Sequence, residues 1–127
     1  MCVVVVACAA SAGAHAALVP AHRRDQPGLG LAFVVAAAVL VAVVAALAVR
    51  PDSRTTARAA AVMLASLIGA YAFSVTTGIP WLVQTPEPVD AVGVATKGVE
   101  VLGLAFALQL NPTPGGRRSP NDEEVRR

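Results

Sequence analysis

Charged and aromatic side chains are scarce in this chain. Asp, Glu, Lys and Arg make up only 14% of its 127 residues and aromatic residues only 4%, whereas 56% are hydrophobic and the mean hydropathy is +0.65. So few charges do not cover the surface of a soluble globule of this size. A chain rich in Ala and Val with so few aromatic residues does not build a large soluble core either. The composition therefore predicts an integral membrane protein with one membrane domain.

Cysteine is scarce too, and the common catalytic motifs are absent from the sequence. Cys2 and Cys8 are six residues apart and fall on different faces of a helix, which excludes a disulfide framework and a Cys-x-x-Cys metal motif. The chain has no Gly-rich phosphate loop, nucleophile elbow or HExxH pattern, so we expect no enzymatic activity. Its formal charge of +2 is not gathered on one basic face, so we expect no nucleic-acid partner.

Long apolar runs are abundant instead. A helix needs about 20 residues to cross the roughly 30 Å hydrocarbon layer of a bilayer. Four runs meet this length, at about 1–19, 28–49, 59–79 and 91–110, with Pro20 predicted to end the first run and Gly78 with Pro80 to end the third. The pattern predicts an all-α fold, an integral membrane four-helix bundle over residues 1–110.

The distribution of arginine predicts how the bundle is oriented. Cytoplasmic loops of membrane proteins carry an excess of Lys and Arg. One side of the predicted bundle has seven arginines and the other side has two; they are Arg50, Arg54, Arg58, Arg117, Arg118, Arg126 and Arg127 against Arg23 and Arg24. We therefore expect a plasma-membrane protein with both termini in the cytoplasm. Residues 111–127 are rich in Pro, Gly and charge, which predicts a disordered cytoplasmic tail.

Two ionisable residues lie inside the fourth run. At 1.5 Å per residue, Lys97 and Glu100 are about 10 and 15 Å below Asp90, which puts Glu100 near the membrane midplane. Each such group costs at least about 2.5 kcal/mol in a bilayer and usually finds a partner inside the bundle. Lys97 and Glu100 are three residues apart on one helical face, so one interpretation is that they simply pair with each other.

A histidine in the first run lies at a similar depth. His15 is five residues before Pro20, roughly 7 Å from the end of its predicted helix. One interpretation is a neutral imidazole bonded to a backbone carbonyl or to a hydroxyl of the third run, with Ser74, Thr76 and Thr77 as the candidates. The other is an intramembrane polar cluster of His15, Lys97 and Glu100, with outer-loop ligands His22, Glu87 and Asp90.

A metal or haem site is a further hypothesis for the two histidines. His15 and His22 are seven residues apart, so on a continuous helix their Cα atoms are about 10 Å apart, too far to share one ion. Such a site therefore requires the chain to bend back at Pro20. The spacing is typical of no particular metal, and we expect no cofactor.

Three segments resemble a family of small four-helix membrane proteins from high-GC actinobacteria that has no established activity. The segments are HAALVPAH, YAFSVTTGIP and EPVDAVGVATKGVE, which follow one another between residues 12 and 110. The resemblance implies a four-helix membrane fold. The matching positions are His15, Pro20, His22, Gly78, Pro80, Glu87, Pro88 and Glu100, and the chain departs from the pattern at Ala21, Val75 and Gly93.

Two functional hypotheses follow from these patterns. In the first, the protein is a non-enzymatic accessory or assembly subunit that packs against a larger membrane complex. In the second, it is a small proton- or cation-coupled carrier, or a metal- or haem-binding protein, that uses the His/Lys/Glu cluster. Small residues recur at spacings of four in the third and fourth runs, which favours close packing inside the bundle, with a homodimer face as the alternative.

Overall fold

The computed structural model describes residues 1–79, 82 and 86–111, and these form four helices. They are α1 (Cys2–Asp25), α2 (Pro27–Val49), α3 (Arg54–Thr76) and α4 (Ala91–Gln109). The described residues contain no strand, so the all-α prediction is confirmed. Each of the four helices is long and apolar enough to cross a membrane. The predicted tail lies almost wholly outside the described residues, as does Pro80.

The first helix does not end where the sequence predicts. Pro20 lies inside α1, and the helix continues for five more residues to Asp25. Proline removes one N–H from the helical ladder but does not forbid the turns that follow it, and transmembrane helices tolerate this loss. Gln26 alone separates α1 from α2, and Pro27 then occupies the first turn of α2, where its missing N–H has no intrahelical partner to lose.

The other helix boundaries follow from capping groups. The Ser53 side chain accepts a hydrogen bond from the Thr56 N–H, so α3 begins at Arg54, five residues before the predicted start of its apolar run. The same helix ends at Thr76. Gly78 follows in the left-handed region with φ 74°, a backbone conformation that residues other than glycine rarely adopt. Asp90 caps α4 by accepting from the Gly93 N–H at 2.8 Å.

The helices pack in a ring. α1 packs against α2 and α4, α3 packs against α4 and less closely against α2, and α1 and α3 are diagonal. We call the end with residues 22–30 and 86–91 the upper end of the bundle, and the end with Met1 and residues 50–53 the lower end. Apolar side chains that face outward are numerous on the helices, as expected of surfaces that contact lipid.

The dry core occupies the lower half of the bundle. It is built from small and aliphatic side chains of all four helices, which are Val4, Cys8, Ala12, Leu40, Val43, Leu47, Ala60, Ala61, Leu64 and Ala107. Gly103 of α4 faces α1 here, and a Cβ atom at this position would lie 2.5 Å from the Cβ of Ala7. The absence of a side chain at Gly103 therefore lets the two backbones approach closely, which positions the polar groups one turn above.

Candidate functional site

Polar side chains of α1 and α4 meet directly above the dry core. Ser11 and His15 come from α1, and Lys97 and Glu100 come from α4; we call these four residues the polar layer. Glu100 is 0% exposed, Ser11 1% and His15 5%, and the Lys97 side chain is 15% exposed. The structure thus brings His15, Lys97 and Glu100 to one level, with a serine that sequence reasoning did not single out.

Both carboxylate oxygens of Glu100 have partners. Ser11 Oγ donates to Oε1 at 2.6 Å, and Lys97 Nζ lies 2.5 Å from Oε2. Lys97 also lies 3.5 Å from the carbonyl of Leu67 on α3. A buried carboxylate is stable only when it is paired and hydrogen bonded, and this arrangement supplies both conditions.

The His15 ring is oriented by its own helix. Its Nδ1 lies 2.8 Å from the carbonyl oxygen of Ser11 and 3.3 Å from Ser11 Oγ. Because a carbonyl oxygen only accepts, Nδ1 carries a proton, and Nε2 of the neutral ring is then an acceptor. Within the described part of the chain, Nε2 has no hydrogen-bond partner, and His15 lines a cavity.

His22 repeats this arrangement two turns higher on α1. Its Nδ1 donates to the carbonyl of Leu18 at 3.0 Å, four residues earlier, which again leaves Nε2 of a neutral ring as an acceptor. Phe33 of α2 lies between the two imidazoles, with ring centroids 5.3 Å from His15 and 4.6 Å from His22 in edge contacts. One phenyl ring thus supports both histidines.

The cavity occupies the upper half of the bundle and has a volume of about 280 Å³. Its walls are largely apolar and include Leu18, Leu29, Phe33 and Leu67. Polar groups are found mainly towards its two ends. His15 and Lys97 form the floor, and the other polar lining residues are His22, Tyr71, Ser74, Glu87, Asp90 and Thr96.

The two acidic residues predicted as loop ligands both have structural partners. Glu87 accepts a hydrogen bond from Gln26 Nε2 at 2.9 Å, and its backbone N–H donates to the Ser74 carbonyl at 2.9 Å. These bonds attach the segment before α4 to the α1–α2 junction and to the end of α3. Asp90 is exposed and caps α4 through one carboxylate oxygen. Both residues also line the cavity.

The described residues contain no group of three His, Cys, Asp or Glu side chains placed to hold a metal ion. His15 and His22 could share one metal ion only if the chain bent back at Pro20. This bend is absent, because α1 is continuous from Cys2 to Asp25. Seven helical residues separate His15 and His22 by about 10 Å along the axis. Within the described chain, the two imidazoles therefore line the cavity as separate groups.

His15 bonds to a backbone carbonyl, which is one of the two alternatives predicted, whereas the hydroxyl groups proposed from the third run are not its partners. Ser74, Thr76 and Thr77 bond to carbonyl oxygens of α3 and the residues next to it. The hydroxyl beside His15 belongs to Ser11 on the same helix. The spacing of four residues between Ser11 and His15 was a usable signal, because such pairs lie on one face of a helix.

Tyr71 was also missed by sequence reasoning. Lys97 Nζ lies 5.6 Å from the centre of its ring, within the range of a cation–π contact. Its hydroxyl is buried and has no hydrogen-bond partner among the residues that the structure describes. A Cβ atom at position 93 would lie 3.0 Å from this hydroxyl, so glycine leaves the ring room beside α4.

Comparison with known proteins gave no family model, no curated protein and no solved structure that matches this chain. The resemblance to small actinobacterial membrane proteins therefore stays a prediction from the sequence.

Proposed function

We propose that this protein is a small, non-enzymatic membrane protein that binds a small molecule in the upper half of its helix bundle. The observation that carries the proposal is the cavity of about 280 Å³ between the four helices, with a floor of His15 and Lys97. Ligand sites in proteins are typically apolar cavities with a few placed polar groups, and cavities between bundle helices are a common location. The proposal corresponds to the binding-protein or carrier hypothesis.

The size of the cavity limits the ligand. An apolar cavity of roughly 150 Å³ accepts a benzene molecule. A volume of about 280 Å³ therefore has room for one ring and a short substituent. The apolar walls between two polar ends favour an elongated ligand with polar groups at both ends.

We place the cavity on the outer side of the plasma membrane. The arginine distribution supports this orientation, since the lower end of the bundle carries Arg50 and Arg54 close to the membrane boundary and the tail adds four more arginines. In this orientation both termini are cytoplasmic, and a ligand enters from the outside or from the outer leaflet.

Filling the cavity tests the proposal. Ala32 on α2 lines the cavity, whereas Ala38 on the same helix is exposed on the outer face. We expect 4-fluorotoluene to give a protein-bound fluorine NMR signal with the wild-type protein in a non-ionic detergent. The Ala32→Leu variant should lose this signal because the added side chain occupies the cavity.

The matched control is Ala38→Leu, which adds the same side chain to the outer surface and should retain the bound signal. If both variants retain the bound signal, the probe resides in the detergent or on the protein surface, and the proposed function is wrong.

An accessory or assembly subunit is the second candidate, and the complete pairing of Glu100 favours it. Because both oxygens of this carboxylate are occupied by Ser11 and Lys97, the polar layer already has a structural role in joining α1 to α4. An accessory subunit should copurify with a partner in fixed stoichiometry after crosslinking in native membranes. It should also tolerate the Ala32→Leu variant, whereas a ligand-binding protein should not.

A further inference from the structure

We infer that the ligand of this cavity is an arylalkyl amine that carries a hydroxyl group at the end opposite the amine. The inference rests on the proposed function and adds the chemical class of the ligand. In the bound state the hydroxyl donates to His15 Nε2 at the floor, the ring packs beside Phe33, and the ammonium lies near Glu87 and Asp90 at the upper end.

Among the described residues that line the cavity, free hydrogen-bond acceptors outnumber free donors. His15 and His22 each use Nδ1–H within α1, so their Nε2 atoms accept when the rings are neutral. The hydroxyl protons of Ser74 and Thr96 are used for carbonyl oxygens of their own helices, at 3.1 and 2.8 Å. Among the described residues that line the cavity, Lys97 is the one lysine or arginine, and Tyr71 carries a hydroxyl without a partner. A ligand complementary to this surface therefore supplies donors.

The charged groups that line the cavity favour a cation at its upper end. Lys97 is neutralised by Glu100 in the polar layer, 2.5 Å away. Two further carboxylates line the cavity, those of Glu87 and Asp90, and each has one oxygen engaged by a donor, Gln26 Nε2 or the Gly93 N–H. The remaining oxygens attract an ammonium group.

The floor of the cavity supplies an independent observation. His15 is 95% buried, since its exposed fraction is 5%, and its Nε2 lacks a protein partner within the described chain. A donor that enters the cavity beside His15 gains a hydrogen bond to this acceptor. The group that donates here is neutral, because the Glu100 carboxylate at this level is already paired with Lys97 and leaves no charge for a second cation to neutralise. A hydroxyl meets both conditions.

The spacing of the two histidines along the cavity matches a ligand with one ring. His15 and His22 lie seven residues apart on α1, which is about 10 Å along the helix axis. Phe33 contacts both imidazoles and therefore occupies the level between them. Tyramine, which carries an ammonium and a phenolic hydroxyl at opposite ends of a ring and a short alkyl chain, is the probe with this pattern.

Three related probes separate the contribution of the hydroxyl group from that of the amine. We expect titration calorimetry of the full-length protein in a non-ionic detergent to give tyramine the highest affinity. Phenethylamine lacks the hydroxyl and 4-ethylphenol lacks the amine, so each should bind about tenfold more weakly than tyramine.

Two conservative variants assign the contacts. His15→Asn retains an amide N–H at the position of Nδ1 but lacks Nε2, so it should weaken tyramine about tenfold and leave phenethylamine unchanged. Glu87→Gln keeps an acceptor for Gln26 but removes the charge, so it should weaken both amines and leave 4-ethylphenol unchanged.

The inferred ligand class is overturned if 4-ethylphenol binds as tightly as tyramine, or if His15→Asn weakens tyramine and phenethylamine equally. If none of the three probes binds but 4-fluorotoluene still gives the signal that Ala32→Leu removes, the ligand class is wrong and the proposed function stands. Loss of that signal as well would overturn both.

Discussion

At the scale of single residues, the polar layer shows how a carboxylate is accommodated where apolar side chains surround it. Glu100 is fully buried, and its two oxygens receive Ser11 Oγ and Lys97 Nζ. Lys97 in turn approaches a carbonyl oxygen of α3 and the ring of Tyr71. Three helices are therefore joined through one ion pair.

Removing one partner of this pair should be more harmful than removing both. Glu100→Gln leaves the Lys97 ammonium without its counterion and should lower the free energy of unfolding by about 3 kcal/mol. The double variant Glu100→Gln with Lys97→Met should recover most of this loss, because no buried charge then remains unpaired. Reversible unfolding in mixed SDS and non-ionic micelles measures both values. A double variant that is less stable than Glu100→Gln alone would contradict this explanation.

At the scale of helices, α4 depends on glycine at one position but not at another. A Cβ at Gly103 would overlap Ala7 of α1, whereas a Cβ at Gly98 would meet nothing within 4 Å. Packing therefore requires glycine at position 103 but not at position 98, five residues earlier on the same helix.

Alanine at these two positions should therefore have opposite effects. Gly103→Ala should destabilise the protein by about 1–3 kcal/mol because α1 and α4 must separate. Gly98→Ala is the matched control and should be neutral or stabilising by up to about 1 kcal/mol, from the higher helix propensity of alanine. Unfolding in mixed micelles provides the measurement. Equal losses at both positions would show that helix packing is not the cause.

The start of α4 depends on the cap at Asp90. Asp90→Ala removes the acceptor for the Gly93 N–H and should cost about 1 kcal/mol, whereas Asp90→Asn retains an acceptor and should cost a few tenths. Stability measured by the same unfolding method separates the capping role from the charge. If Asp90→Asn is as unstable as Asp90→Ala, the charge rather than the cap stabilises this helix end.

At the scale of the whole molecule, the bundle is divided into a dry lower half and an upper half with a cavity. The core cluster fills the lower half, the polar layer lies above it, and the cavity extends from the polar layer towards the α1–α2 junction. The proposed ligand site in the upper half is thus separated from the lower end by a close-packed region. The orientation of the bundle therefore decides from which side of the membrane the cavity is reached.

The proposed orientation predicts which end reacts with a reagent outside the cell. Val89 and Asp52 are both exposed and lie at opposite ends of the bundle. In a Cys2→Ser background, Val89→Cys should react with an impermeant maleimide in intact cells, and Asp52→Cys should react only after the cells are opened. The reverse labelling would place the cavity on the cytoplasmic side.

Local sequence determined the helices and one ion pair of this protein. Four long apolar runs predict four helices because hydropathy and length decide, without any tertiary contact, which segments can cross a bilayer. Lys97 and Glu100 pair because residues three apart share a helical face. The end of α1 could not be predicted, since Pro20 only disfavours a helix and the packing of α1 against α2 and α4 outweighs that preference.

Tertiary structure alone decided which groups meet across helices. The contact of Ser11 with Glu100 joins positions 89 residues apart, and the cavity depends on the rotation and depth of all four helices. Helices that are apolar on every face, such as α2, have no polar stripe that reveals which side packs inward. The relative positions of the helices were therefore set by close contacts such as that of Gly103 with Ala7. The recurrence of small residues on α4 predicts close packing there but not which residue it meets.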